Sequence, residues 1–332
     1  MENNKSLYDA FVDSSPQGSL FHKSWWLDAV APNQYTILSF EDKNGIAAAW
    51  PLVSKKVMHM KISMLPQLTP RLGIMFRPNR KLKYAEQLSE EMRLTTELIE
   101  LMPKHHFFSQ HFNHQFGSWL PFYWKGFRQT TRYTYVIEDL SDLDMLWENI
   151  RSNTRRVIRK AIKQDISVIT DLELHQLLDL NEVTFRRQGL PLPYSRQYVE
   201  RIDAACKEHG ARKMFFAVDS QNRLHAAAYI VYDQKSAYYL IGGGNPDLRN
   251  SQGQSLVLWE AIKFASTVSE SFDFEGSMHS NIEPFFRGFG GLQKPYMEIT
   301  RGSPFLNLGY SYAKKAWAKG GLMPYIIRKL LR

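Results

Sequence analysis

In each half of the chain a short polar stretch separates two extended apolar runs. "TILSFEDKNGIAAAWPLV" (Thr36 to Val53) and "MFFAVDSQNRLHAAAYIV" (Met214 to Val231) each give an apolar run, an Asp/Asn turn, a second run with an Ala triplet, and an aromatic residue. Polar turn formers between two extended apolar runs predict a β-hairpin in each half. A third strand-like stretch follows each hairpin, "VMHMKISM" in the first half and "SAYYLIGG" in the second. Apolar residues then recur at helical spacing from about Tyr84 to Leu101 and from about Gln254 to Ser269. Another strand comes after each helix, "HHFFSQHF" and "SFDFEGS". The pattern predicts a duplicated mixed α/β domain whose halves meet near "YTYVIEDLSDLDMLWENI".

Between the halves, "RSNTRRVIRKAIKQDISVIT" puts Val157, Ile158, Ala161 and Ile162 on one helical face. Arg155, Arg156, Arg159, Lys160 and Lys163 lie on or beside the other. Such a run is either the solvated face of a boundary helix or a basic rim that attracts a phosphate-rich substrate. After Ser303 the chain carries six Lys/Arg and no acid, with Ile326, Ile327, Leu330 and Leu331 on a face opposite Arg328, Lys329 and Arg332. That pattern fits an interfacial helix at a membrane or a terminal helix docked on the body.

Composition narrows the setting. At 332 residues and 44% hydrophobic content the chain can bury a large core and is long enough for about two domains. The single Cys206 excludes an internal disulfide and any CxxC motif, which fits a reducing compartment. No apolar run approaches the roughly 18 residues that span a bilayer. "MENNKSLYDAF" lacks the basic and apolar regions of a signal peptide, so the expected location is cytoplasmic. A net charge of +9 points to anionic partners without choosing among them.

The stretch "YYLIGGGNPDLRNSQGQSLVLWEAIKFA" runs from a strand through three glycines and a polar loop into a helix. A helix N-terminus offers backbone N–H groups and positive dipole to a phosphate, and glycine lets the ligand approach. Gly253 sits where the helix begins, Ser255 can cap or donate, and Arg249 supplies a fixed charge. Neither G-x-x-x-x-G-K-[ST] nor G-x-G-x-x-G is present, which argues against a P-loop kinase or a dinucleotide-binding dehydrogenase. Glycines at a strand end also mark bulges and close backbone approaches.

The order of elements in the second half, closing with a short helix "NIEPFFRGFG" and a strand "KPYMEIT", resembles the acyl-CoA N-acyltransferase (GNAT) fold. That family's pyrophosphate loop reads [RQ]-x-x-G-x-[GA]; the nearest match here is Asn250-Ser251-Gln252-Gly253-Gln254-Ser255, with Arg249 one place early. Over nearly the whole chain to about Arg301, "FHKSWWLDAV", "TRYTYVIEDL" with "RSNTRRVIRKAIKQD", "TFRRQGLPLPYS" and "FDFEGSMHSNIEPFFRGFGG" resemble the Fem-type branch, FemAB-like aminoacyltransferases with two tandem GNAT-like domains.

The resemblance implies an α/β (α+β) fold of two tandem GNAT-like domains with mixed central sheets. Expected boundaries are 1–145, 146–302 with the donor loop, and a basic amphipathic tail over 303–332. It implies an acyl- or aminoacyltransferase with acyl-CoA or aminoacyl-tRNA as donor, an amine as acceptor, no tightly bound cofactor and no DNA partner. A cell-envelope role with peripheral contact at the inner membrane face through the tail goes with it. A second function class is a catalytically silent GNAT-fold protein that binds RNA or a lipid-linked glycan. The donor loop would use Arg249, Asn250, Gln252, Gly253, Gln254 and Ser255. Where the family often has Lys after the Phe pair, this chain has Arg287, which keeps the charge but cannot lose a proton; binding is its expected role, with Arg155 and Arg159.

Acyl transfer to an amine needs a deprotonated nucleophile and a stabilised tetrahedral oxyanion. In "DFEGS" strand alternation puts Asp273 and Glu275 on one face and Phe272 and Phe274 on the other, which suits amine binding or proton acceptance, or else a structural ion pair or strand-end cap. Glu275, nearer the following loop, is the preferred acid. Tyr239, just before the glycines, could donate to the oxyanion or leaving group or serve the core. His279 could act as a base near neutral pH or, as a loop histidine without a visible partner in the sequence, have no chemical role. His105, His106, His111 and His114 lack the spacing of a metal site, and none is expected. "RRQGLPLPYS" reads as a gating loop or a plain helix-ending loop.

Overall fold

The protein is described by a computed structural model covering residues 2–79, 81–170, 172–187, 189–276, 278, 280 and 282–318. Two compact units divide it: residues 1–132 with 295–332, and residues 133–294.

Unit 1 begins with α1 (Glu2–Ser14) and α2 (Ser24–Val30), then β1 (Tyr35–Asp42), β2 (Gly45–Val57), β3 (Met60–Met64) and β4 (Met75–Phe76). α3 (Tyr84–Leu101), β5 (Phe107–His111) and α4 (Leu120–Trp124) follow, and β6 (Arg128–Ile137) leads out. The expected first hairpin is β1 with β2, antiparallel from Tyr35–Val53 to Asp42–Gly45. Asp42 closes its turn by accepting the N–H of Asn44 at 2.7 Å. The 84–101 helical period is α3, its start fixed by Glu86, which accepts the Lys83 N–H at 3.0 Å. Trp50 centres the core with Phe108, Phe112 and Phe122 at ring distances of 5.6, 6.2 and 5.5 Å. Its indole N–H is satisfied by Gln110 Oε1 at 2.5 Å.

Unit 2 contains α5 (Leu143–Asn149), α6 (Ser152–Lys163), β7 (Ser167–Ile169), α7 (Leu174–Arg187) and α8 (Arg196–Glu208). β8 (Arg212–Val218), β9 (Leu224–Tyr232), β10 (Ser236–Gly244), α9 (Gly253–Ala265), β11 (Ser271–Asp273) and α10 (Glu283–Arg287) follow. β12 (Leu292–Gly302) leads back into unit 1, where α11 (Pro304–Ala318) begins after it. The second expected hairpin is β8 with β9. α9 buries residues around nearly its whole circumference, among them Leu256, Val257, Trp259 and Ile262, so it is a core helix and not an amphipathic surface one.

The sequence repeat has a topological counterpart. Unit 1 orders its strands β1-β2-β3-β5-β12 and unit 2 orders β7-β8-β9-β10-β11-β6. In both, the hairpin adds a third strand that pairs parallel with a fourth, β3 with β5 and β10 with β11. In both, that fourth strand takes an antiparallel partner from outside its own linear run: β12 beside β5, and β6 beside β11. The mixed sheets follow from this order. A parallel neighbour requires a crossover, supplied by α3 and α9.

The glycine triplet at the end of β10 serves packing. A Cβ on Gly242 would lie 1.5 Å from the Tyr239 phenol oxygen, and one on Gly243 would lie 2.6 Å from Asn181 N and Leu180 C of α7. α7 is then fastened to the bared strand. Asn181 Nδ2 donates to Gly242 O at 2.7 Å, and Gly244 N–H donates to Thr184 Oγ1 at 3.1 Å. Gly243→Ala is expected to lower the thermal midpoint by several degrees, since overpacking costs about 1–3 kcal/mol and 1 kcal/mol moves a domain of this size by roughly 2–4 °C. Gly210→Ala, at φ 60 with nothing within 4 Å, carries backbone strain alone and should cost less. Equal shifts in the two variants would contradict the packing role.

Candidate functional site

The parallel pairing in unit 2 lasts three residues. β10 and β11 are in register at Ser236–Ser271, Ala237–Phe272 and Tyr238–Asp273. Beyond that point β10 stays with β9 as far as Gly244–Ala226, while the chain after β11 stays with β6, Phe274 N–H donating to Tyr135 O at 3.0 Å. The two strands therefore part like the arms of a V, with residues 239–244 on one arm and 274–276 on the other.

Backbone irregularities on both arms produce the parting. The register of β10 against β9 shifts between Tyr239 and Ile241, and Glu275 and Gly276 both adopt the left-handed region, at φ 61 and 62. For a side-chain-bearing residue that region costs roughly 1–2 kcal/mol. Gly276 is obligatory, because a Cβ there would stand 2.6 Å from Thr134 Cα and Tyr133 O. Asp273 holds the turn: Oδ1 accepts the Glu275 N–H at 2.8 Å and the Thr134 hydroxyl at 2.5 Å. The expected alternation holds as far as Phe274, with Phe272 and Phe274 in the core and Asp273 buried on the other side. At Glu275 the left-handed turn ends it, and this acid is half-buried at the tip of its arm.

Tyr239 sits on the opposite arm with its phenol across Gly242. Gln254 Nε2 donates to that phenol oxygen at 3.0 Å. Burial pushes the phenol well above its ordinary value, with the Gln254 bond acting the other way, so the group keeps its proton at neutral pH and can donate it.

Gln254 belongs to the first turn of α9, which places the candidate donor loop beside the V. Arg249, Asn250 and Ser251 make one 3₁₀ turn, Gln252 follows in the left-handed region at φ 64, and α9 begins at Gly253. A Cβ on Gly253 would meet the Cβ atoms of Ala217 and His225 at 3.1 Å each, so glycine lets the helix start lie flat on β8 and β9. Ser251 Oγ accepts the Gly253 N–H at 3.3 Å, and the buried Ser255 donates its N–H to Gln252 O at 3.0 Å. Arg249 is exposed, and Lys160 of α6 reaches Asn250 O at 3.3 Å.

α6 is helical as expected, with Ile158 and Ala161 buried, but Ile162 is 54% exposed and lies off the packed face. Arg155 pairs with Glu148, and Arg159 stands 5.3 Å over the Trp147 ring, which packs at 5.1 Å on Trp259 of α9. Arg156, Arg159, Lys160 and Lys163 form an exposed basic row on the helix that packs against α9. Arg287 is exposed on α10 and engages Glu283 at 2.8 Å; Glu283 also accepts from the Tyr135 phenol.

The segment read as a gating loop joins α7 to α8. Tyr194 donates to Asn181 Oδ1 at 2.9 Å, linking it to the end of β10. His279 lies outside the described residues. The histidines of the 105–114 stretch turn to different partners: His105 to Ser54 Oγ at 2.8 Å, His106 to Lys61 N–H at 3.0 Å and His111 to Pro70 O at 2.9 Å. Among the described residues no three His, Cys, Asp or Glu side chains converge as metal ligands would.

Sequence reasoning missed Thr134, Asn181 and the array Asp219, His225 and Ser251. Thr134 and Asn181 are separated by whole elements from the residues they serve, and the bond between His225 and Ser251 joins positions twenty-six residues apart, so no local spacing marks these links. Asp273→Ala is expected to cost about 1–3 kcal/mol by leaving the Thr134 hydroxyl and the Glu275 N–H without their acceptor. Asp273→Asn, which retains Oδ1, should recover most of it in a denaturant titration. An Asn variant no better than Ala would mean that the buried charge, not the acceptor, matters.

Residues 148–277 match the family model of the Acetyltransferase (GNAT) domain. No curated protein matches the sequence. Among solved structures, the crystal structure of FemX superposes with a TM-score of 0.68 at 15% identity, covering 92% of this chain and 98% of that one. The C-terminal DUF2156 domain of a putative lysylphosphatidylglycerol synthetase from Agrobacterium fabrum gives 0.53 at 9% identity, over 95% and 98%. A tandem GNAT protein from the clavulanic acid biosynthesis pathway gives 0.50 at 9% identity, over 90% and 94%. Residues 148–277 thus match the GNAT domain model, and the chain as a whole has the fold of FemX and of the tandem GNAT protein.

Proposed function

We propose that this protein transfers an acyl or aminoacyl group to an amine, with the donor's reacting carbonyl between the two arms of the V and its phosphates at the start of α9. The observation that carries the reading is the parting of β10 from β11 directly beside a helix N-terminus. An extended donor can replace the missing strand partner there while its phosphates meet positive dipole. Arg249, Asn250, Gln252, Gly253, Gln254 and Ser255 line the phosphate end. The exposed basic row of α6 adds four cations beside the loop, which suits the many phosphates of a nucleic acid, so aminoacyl-tRNA ranks ahead of acyl-CoA as donor.

The arms divide the chemistry. Glu275 receives or orients the amine, Asp273 fixes Glu275 through its backbone, and Tyr239 donates to the developing oxyanion or the leaving group. Arg287, with Arg155 and Arg159, contributes binding charge and no proton transfer.

The acceptor side has a membrane component. α11 is held to unit 1 by Tyr310, which donates to Glu298 Oε1 at 2.9 Å, and by Asn307, which donates to Gly302 O at 2.7 Å. Phe305, Leu308 and Tyr312 recur three and four residues apart on the other side and are 84, 73 and 67% exposed. With six cations and no acid over 303–332, this stripe fits an anionic bilayer surface. The face formed by Ile326, Ile327, Leu330 and Leu331 lies outside the described residues. Among the described residues no helix is long and apolar enough to cross a membrane. A membrane-borne amine acceptor in the cell envelope is consistent with the fold shared with a putative lysylphosphatidylglycerol synthetase.

Titration calorimetry with coenzyme A and with charged tRNA should give heat from at least one, and Glu275→Gln should keep that binding while turnover falls by about 10²–10⁴-fold. No heat from either would contradict the reading. Binding without turnover for any amine would point instead to a GNAT-fold protein that binds RNA or a lipid-linked glycan. Flotation with phosphatidylcholine vesicles, with and without phosphatidylglycerol, should show binding that needs the anionic lipid and is lost in the double variant Phe305→Ser, Leu308→Ser. Equal binding by that variant would exclude the α11 stripe.

A further inference from the structure

Asp219, His225 and Ser251 form a connected array under the start of α9. His225 Nε2 lies 3.1 Å from Asp219 Oδ2, its Nδ1 lies 2.8 Å from Ser251 Oγ, and Ser251 Oγ accepts the N–H of Gly253. The three come from separate places: the β8–β9 turn, strand β9 and the loop before α9. Asp219 is built to stay ionised. Burial works against its charge, but the Arg223 N–H, the His225 ring, the Arg223 side chain and the Gln221 N–H hold the carboxyl well below the usual range. The corresponding distances are 2.9 Å from Arg223 N, 2.7 Å from Arg223 Nε and 3.0 Å from Gln221 N.

The hydrogen positions follow from what each group can do. A carboxylate only accepts, so Nε2 carries a hydrogen. In the neutral ring Nδ1 is then an acceptor, and the single Ser251 hydrogen must point at it. Ser251 meanwhile accepts from Gly253, so it has no hydrogen to offer outward. If Nδ1 takes a proton, it donates to Ser251 Oγ, and the serine hydrogen is released to turn towards an anion at the helix start. The charged and titratable groups facing His225 are Asp219 and Arg223 from the turn. Ser251 and the first turn of α9 face it from the loop side, and Lys160 of α6 stands further out at Asn250 O.

We propose that His225 is a positioning residue that couples donor binding to uptake of one proton, switching Ser251 from a cap of α9 to a donor for a phosphodiester or bridging pyrophosphate. The inference rests on the phosphate reading of the loop given above. An anion docked at Gly253 favours the imidazolium, and the imidazolium frees the hydroxyl that the anion accepts. The buried Asp219 carboxylate balances the added charge.

The experiment is calorimetry near neutral pH in buffers of different ionisation enthalpy, so that heat from buffer protonation counts protons taken up. Two probes whose bridging phosphates do not titrate near neutrality separate the sources: dephospho-coenzyme A and an RNA minihelix ending in CCA. For whichever binds, the wild-type protein should take up as much as one proton, and affinity should rise by up to about tenfold for each unit of falling pH. His225→Gln should bind with no uptake and a flat pH profile. Ser251→Ala should lose the uptake as well, with an unchanged thermal midpoint showing that the fold is kept. Binding without proton uptake by the wild-type protein overturns the coupling and leaves the phosphate reading intact. Uptake that persists in Ser251→Ala overturns the hydroxyl switch. Binding by neither probe overturns the reading and the coupling together.

Discussion

Two parallel strands share hydrogen bonds only while they run side by side, and in unit 2 they cease to do so after Tyr238 and Asp273. The proposed carbonyl and amine positions of the second unit are arranged around that parting. It is stabilised on one arm by a left-handed pair, Glu275 and Gly276, and on the other by a register shift at Tyr239. Backbone in such conformations persists only where neighbours over-determine it. Here the neighbours are Asp273, which takes both the Glu275 N–H and the Thr134 hydroxyl, and β6, which leaves no room for a side chain at Gly276.

From this constraint the rest follows by packing. The register shift throws the Tyr239 phenol across its own strand, which requires Gly242 beneath it and gives Gln254 of α9 a partner. The bared end of β10 then accepts the backbone of α7, which requires Gly243. α9, apolar on nearly every side, is buried under α6 and against β8 and β9, and this packing holds its N-terminus beside the V. Its start is further pinned by Ser251, His225 and Asp219. A catalytic arrangement needs this rigidity, because a misplacement of about 1 Å can cost on the order of 100-fold in rate.

Much of this was legible in the residues. The two hairpins, the helices at 84–101 and near 254, and the duplicated order all came from local period, which a strand or helix carries within itself. The partner of the fourth strand in each unit did not. Nothing in the pattern of β6 or β12 says that one pairs with β11 and the other with β5. The glycine triplet was legible as a strand end but not as a seat for a phenol and a helix, because the atoms that require Gly242 and Gly243 come from Tyr239 and from Leu180 and Asn181. Asp273 and Glu275 were legible as acids sharing an alternation, whereas their different duties depend on a φ angle that no alternation encodes. His225 stands inside an apolar strand that gives it no local mark; its meaning comes from a turn six residues before it and a loop twenty-six residues after.

The measurement that addresses the central claim most directly is hydrogen–deuterium exchange of the full chain with and without saturating donor. The account expects new protection concentrated in residues 239–244 and 249–256, the arm of the V and the start of α9. Protection confined to unit 1, or a donor that is turned over without protecting either segment, would contradict it.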